Sequence, residues 1–229
     1  MSFLWSNLGQ VWSLTLAHVW LSAIPIVVGF ILSLPIGWVA NRYQVSRPVL
    51  LTIGGILYAI PSLPLFFAMP ALIGTKILDP ANVVVALSIY ALALMVRTAS
   101  DALASVPGDV IDSATAIGFS AWKRFWTVEL PLAGPVLLAG LRVVSVSTVS
   151  LVSVGALLGV LNLGYLFTDG LNRAYTEEVA VGIVMIMIVA LVFDLVLVVL
   201  GRLVLPWTHR DRRARRLGSA AAMKAVTGA

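Results

Sequence analysis

Apolar residues in this 229-residue chain gather in five long runs rather than alternating with polar ones. Uninterrupted apolar stretches of about 20 residues match the length at which a helix crosses a bilayer, whereas barrel strands alternate. The pattern predicts spanning helices at 19–40, 49–73, 83–104, 132–158 and 179–205. Ahead of the first run, Leu4, Leu8, Val11, Trp12 and Leu16 recur at near-helical spacing, which predicts a short outer interfacial helix over 1–18. Trp20 and Trp38 bracket the first run. They lie about 27 Å apart along a helix, close to the hydrocarbon thickness, and Trp favours both interfaces. Pro61, Pro64 and Pro70 predict bends in the second run.

Composition agrees with an all-α integral membrane protein. Hydrophobic residues make up 60% and charged residues 11%, against about 25% charged in soluble domains. No soluble domain of useful size is left outside the spans. With no cysteine, neither a disulfide framework nor a thiolate metal site is available. No Lys or Arg precedes Arg42, so the start lacks the basic region of a cleaved leader and is expected to stay in the membrane.

Basic residues set the orientation. Arg42 and Arg47 lie in the first connection, Lys123 and Arg124 in the third, and Arg210, Arg212, Arg213, Arg215, Arg216 and Lys224 in the tail. Five alternating spans put these segments on one side and leave Lys76 and Arg173 on the other. The excess predicts a cytoplasmic C-terminus, including a basic tail over 206–229, and an outer N-terminus. The tail also has the charge to bind anionic lipid or a regulatory partner, unless it serves only to set topology.

The connection over 105–131 carries the chemistry. Ala114, Ile117, Gly118, Ala121, Trp122, Phe125 and Trp126 form one apolar face of a helix, or of two short helices in line. Ser120, Lys123 and Arg124 face away, and Asp109 and Asp112 stand where carboxylates favour a helix start. Such a face packs beneath the bundle or enters a groove on another protein. The segment Asp112-Ser113-Ala114, three residues, Gly118, nine residues, Val128-Glu129-Leu130-Pro131 resembles the EAA loop of ABC-importer permeases. That pattern is Glu-Ala-Ala, three residues, Gly, nine residues, Ile, any residue, Leu-Pro. The spacing is unbroken, with Asp112 for Glu, Ser113 for Ala and Val128 for Ile. Ile60-Pro61-Ser62-Leu63, Gly140-Leu141-Arg142 and Asp194 resemble the osmoprotectant branch, whose permeases handle glycine betaine, choline, carnitine or proline. The stretch Gly159 to Gly164 departs from that branch's glycine-rich outer loop.

The resemblance implies a type I importer permease core working with a second permease chain, identical or paralogous. It implies cytoplasmic ATPase partners and an extracytoplasmic solute-binding protein. A coupling helix around Gly118 to Phe125 would dock on the ATPase, with Asp112, Ala114, Gly118, Ala121, Trp122, Lys123, Phe125, Leu130 and Pro131 as coupling residues. The chain has no Gly-x-x-x-x-Gly-Lys-Ser/Thr phosphate loop. ATP and Mg²⁺ therefore belong to the partner, this chain holds no cofactor, and no nucleic acid is expected.

Polar groups inside the spans add candidates. Asp194 and Arg142 lie at similar depths and are candidates for an ion pair, acting as a helix staple or as a gate. Arg97 and Asp101 are four apart and form a candidate pair in the weaker Arg-first order. Ser145 and Thr148, among several hydroxyls of the fourth run, serve helix packing or line a path. In the last outer connection Asp169, Arg173, Glu177 and Glu178 are candidate contacts for the binding protein. Rival readings are the same architecture importing methionine or another amino acid, and a membrane scaffold without transport. A membrane enzyme lacks support: His18 and His209 fall at opposite faces, and no span pairs two carboxylates.

Overall fold

Prolines, glycines and capping polar groups cut the apolar chain into helices. The computed structural model describes residues 2–43 and 45–207. The basic tail expected over 206–229 therefore falls almost wholly outside the described residues, as does His209. After a short α1 (Ser2–Ser6) comes α2 (Leu8–Arg42), 35 residues long. No breaker separates Leu8 from Val19, so the expected 1–18 helix is not a separate element. All but its first turn merges into the first span.

The second run is broken. α3 (Ser46–Ala59) ends before Pro61, α4 (Ser62–Ile73) begins after it, and the two meet at 99°. Residues before a proline are pushed toward extended backbone, which is where Ile60 sits (ψ 127°). The Tyr90 hydroxyl donates to the Ile60 carbonyl that the break leaves free. Gly74, at φ 72°, closes α4 in the left-handed conformation. Asn82 then ties the turn down by donating to the Lys76 and Ile77 carbonyls.

α5 (Pro80–Ala104) is the central helix, capped by Asp79, whose side chain accepts from Ala81 N–H. It runs parallel to α2, with Gly29 against Ala91 and Gly37 against Ala99. A Cβ at either glycine would stand 2.7 Å from the facing alanine Cβ, so the two backbones touch at both points. Close approach through small residues is how membrane helices gain packing energy where lipid offers no hydrophobic drive.

A pair of short helices, α6 (Gly108–Ala116) and α7 (Ala121–Arg124), leads through a π-helical turn (Phe125–Glu129) into α8 (Leu130–Val152). A 3₁₀ segment (Ser153–Leu158), α9 (Tyr165–Asn172) and α10 (Thr176–Val204) complete the bundle. α8 runs antiparallel to α5, with Gly140 on Thr98 and Gly155 on Val83, and antiparallel to α10, with Gly134 on Leu205 and Leu138 on Gly201. Among the described residues four helical runs are long and apolar enough to cross a membrane, five if the bent α3–α4 pair is taken as one span. The chain is a multi-pass, all-α membrane protein.

Two sides of the bundle differ. α10 shows Ile183, Met187, Ile188, Leu191, Leu195, Val199 and Leu203 outward, an unbroken apolar surface suited to lipid. The exposed stripe of α8 reads Leu132, Val136, Ala139, Val143, Val146 and Ser150, and that of α5 carries Arg97, Asp101 and Ala104.

Candidate functional site

The α6–α7 loop is built around one glycine. α6 ends at Ala116, and Gly118 takes φ 88°, a region that residues with a Cβ enter at a cost. The expected coupling helix over Gly118–Phe125 is thus corrected: Gly118 is the corner between two short helices that are not in line. Past it, Ser120 caps α7 by accepting from Lys123 N–H, and the Lys123 ammonium lies 4.4 Å from the centroid of the Phe119 ring.

Pro131 explains the π turn. It has no N–H for the Thr127 carbonyl, and its ring crowds the preceding turn. The ladder widens accordingly, and Leu130 N–H donates to Phe125 O, five residues back. Leu130 and Pro131 begin α8.

The loop is not one apolar face. Ala114 and Phe125 turn inward, and Phe125 meets Trp38 edge to face at 6.1 Å between ring centroids. Ile117 and Trp122 point out, 73% and 66% exposed, with Trp126 beside them. Asp112, Gly118 and Lys123 are exposed, and Ala121 is half-buried. No side chain caps α6; Pro107 occupies the cap position, and Asp109 favours the first turn by charge alone. Arg124 does not face away, as the sequence suggested. Its Nε donates to Glu129 Oε1 at 2.6 Å and its Nη1 to Thr115 Oγ1 at 2.7 Å. This nearly buried pair locks α6 to the π turn. Below it, Trp38, Asn41, Arg42, Leu103, Ile111 and Glu129 help line a cavity of about 370 Å³. The ends of α2 and α5 thus meet the loop at one end of the bundle.

Within the spans, Arg142 and Asp194 come together. Arg142 Nε donates to Asp194 Oδ1 at 2.6 Å and Nη2 to Oδ2 at 2.7 Å, a bidentate fork joining α8 to α10. Arg97 and Asp101 do not pair. Asp101 accepts instead from Arg47 of α3 at 2.8 Å, and Arg97 is exposed. Ser145 and Thr148 are buried inside the chain's own bundle, with Thr148 donating to Val144 O. Neither lies on the exposed stripe of α8, where Ser150 does. His18, not singled out by its position in the sequence, is fully buried, and its Nε2 lies 2.9 Å from the Val149 carbonyl, linking α2 to α8.

At the opposite end of the bundle, Arg173 donates to Asp169 at 2.8 Å. That hydrogen bond and the adjacent carboxylate charges raise the Arg173 guanidinium further above its usual value, so it remains a cation. Glu178 is fully buried and is unavailable as a surface contact. Glu177 accepts from Phe3 N–H and from the Tyr175 hydroxyl, tying α1 to α10. At the corner between α9 and α10, Leu171, Asn172, Arg173 and Ala174 are exposed. Among the described residues no cluster of His, Asp or Glu is arranged to hold a metal.

Comparison with known proteins matches this architecture to one family. A family model described as "binding-protein-dependent transport system inner membrane component" matches residues 26–210. The osmoprotectant import permease protein OsmW of Salmonella typhimurium is 32% identical over 84% of this chain and 90% of its own length. The glycine betaine/carnitine/choline transport system permease protein OpuCB of Bacillus subtilis is 30% identical over 90% of this chain and 94% of its own. Among solved structures, an inward-facing MetNI methionine ABC transporter aligns with a TM-score of 0.69 at 20% identity, covering 87% of this chain and 96% of that one. An amino acid ABC transporter aligns at 0.71 and 15% identity, covering 86% and 95%. These two share the fold. The chain therefore belongs to the inner membrane components of binding-protein-dependent transport systems, the non-catalytic permease subunits of ATP-driven importers for small polar solutes.

Proposed function

We propose that this chain, with a second permease chain, forms the path by which an osmoprotectant of the glycine betaine, choline, carnitine or proline class enters the cell. The observation that carries the solute class is the near full-length match, at 30–32% identity, to permeases named for such solutes. The N-terminus lies outside and the C-terminus in the cytoplasm. In support, Arg42, Lys123 and Arg124 gather at one end of the bundle, with Arg173 at the other. A cytoplasmic ATPase docks on the outward surface of α6, Gly118 and α7, where Ile117 and Trp122 leave apolar area uncovered. Asp112, Lys123 and Ala121 border that surface. An extracytoplasmic binding protein docks on the α9–α10 corner around Arg173. The Arg142–Asp194 fork holds α8 and α10 in register while the bundle moves.

The test is ATP-driven uptake in proteoliposomes holding the complete complex. Glycine betaine, choline, carnitine, proline and methionine are each offered with the binding protein. Accumulation of one of the first four, with stimulated ATP hydrolysis, is expected. Uptake of methionine alone moves the chain to the amino-acid reading. An ATPase that neither binds nor responds to this chain would leave only a scaffold.

A further inference from the structure

The charges at membrane depth are unequal in their partners. Asp194 and Arg142 neutralise each other. Arg97 stands seven residues before the end of α5, about 10 Å along the helix. It is exposed, its sequence neighbour Asp101 is taken by Arg47, and among the described residues no hydrogen bond or ion pair engages it. A lone guanidinium at this depth is costly against hydrocarbon and belongs on a side that meets water or protein.

The neighbouring contacts fix that side. Ala93 of α5 lies under Gly54 of α3, and Thr98 lies under Gly140 of α8. Arg97 therefore opens between α3 and α8, beside Val136, Ala139 and Val143 of the exposed α8 stripe. The unbroken apolar surface belongs to α10. Lipid suits that side, and the exposed guanidinium of Arg97 marks the α3–α5–α8 side for the aqueous path or the second chain.

A guanidinium presents five donors in a planar fork that matches a carboxylate, and it offers nothing to a quaternary ammonium except repulsion. We propose that Arg97 is a specificity-determining residue of the path, engaging the carboxylate of a zwitterionic solute and disfavouring carboxylate-free cations. This rests on the permease reading above and deepens its solute class: glycine betaine, carnitine or proline over choline.

Two measurements test it. The first is ATP-driven uptake of glycine betaine by the full complex with Arg97→Gln and Arg97→Lys. Gln is expected to cut uptake about tenfold or more, the loss of one charge-assisted contact, with partial recovery in Lys. Unchanged uptake in Gln overturns the proposal. The second needs no transported solute and exploits a chain without cysteine. Ala139→Cys is treated in the assembled complex with anionic and cationic methanethiosulfonate reagents. The anionic reagent should react faster, the rate ratio exceeding that in an Arg97→Gln background by roughly fivefold, as expected for one charge several ångströms away in water. A ratio indifferent to Arg97, or a thiol inert to both reagents with and without ATP, overturns the proposal. If wild type carries none of the solutes, the osmoprotectant reading falls, and the thiol ratio still decides Arg97.

Discussion

Gly118 is the corner on which the α6–α7 loop turns, and its replacement separates backbone conformation from side-chain bulk. At φ 88° it lies where a Cβ is disfavoured, yet a Cβ built there meets no atom within 4 Å. The penalty is therefore conformational, about 1–2 kcal/mol for an ordinary residue. At 1.4 kcal/mol per factor of ten, that shifts the loop away from its docking shape by roughly five- to thirtyfold. Asn visits the left-handed region more readily than Ala, and a β-branched residue least. Binding-protein-stimulated ATP hydrolysis by the reconstituted complex should fall in the order Gly, Asn, Ala, Val, while the amount of inserted permease stays constant. Steric blockade would give a different order, with Asn no better than Val, since their volumes are similar. Equal activity in Gly118→Val and wild type would refute the reasoning outright.

Three further outcomes follow from contacts elsewhere. Glu129→Gln should destabilise the loop by about 3–5 kcal/mol, because Arg124 is then left nearly buried without its counter-charge; faster proteolysis between α6 and α7 reports it. Asp194→Asn should lower the thermal midpoint of the detergent-solubilised chain, and exchanging the two residues in Arg142→Asp with Asp194→Arg should recover part of the loss, whereas a double variant no better than either single one means the fork is not coupled. Gly37→Leu drives a side chain into Ala99 and its backbone and should cost about 1–3 kcal/mol in unfolding assays, while the same change at Gly55, whose Cβ position is open, should cost little.

Features fixed by local composition were legible in the sequence, and features fixed by helix phase were not. Apolar run length located the spans, and three prolines marked the second as bent. The 99° angle arises because Ile60 and Pro61 both take extended backbone. Axial depth alone brought Arg142 to Asp194. Depth could not assign Asp101, since Arg47 approaches from another helix and competes with a weak Arg-first pair. Hydroxyl spacing on α8 did not reveal which face was buried, so packing and path lining both stayed open for Ser145 and Thr148, which lie inside the chain's own bundle. Glu178 reads as a loop carboxylate, yet the first turn of α10 folds it inward. The burial of His18 had one faint signal, a lone imidazole beside an apolar run. In the loop, motif spacing located Gly118, while its positive φ emerged only from the backbone.

The helical path from Ala121 runs without a loop through Leu158, 38 residues in all. At 1.5 Å per residue it is a boom about 57 Å long. The Arg142–Asp194 fork grips it about 32 Å from one tip and about 24 Å from the other. If that grip serves as a fulcrum, a nudge of ~3 Å at Ala121 re-emerges at Leu158 as a swing of ~2 Å in the opposite sense. Such a see-saw needs no relay of side chains to carry news across the membrane.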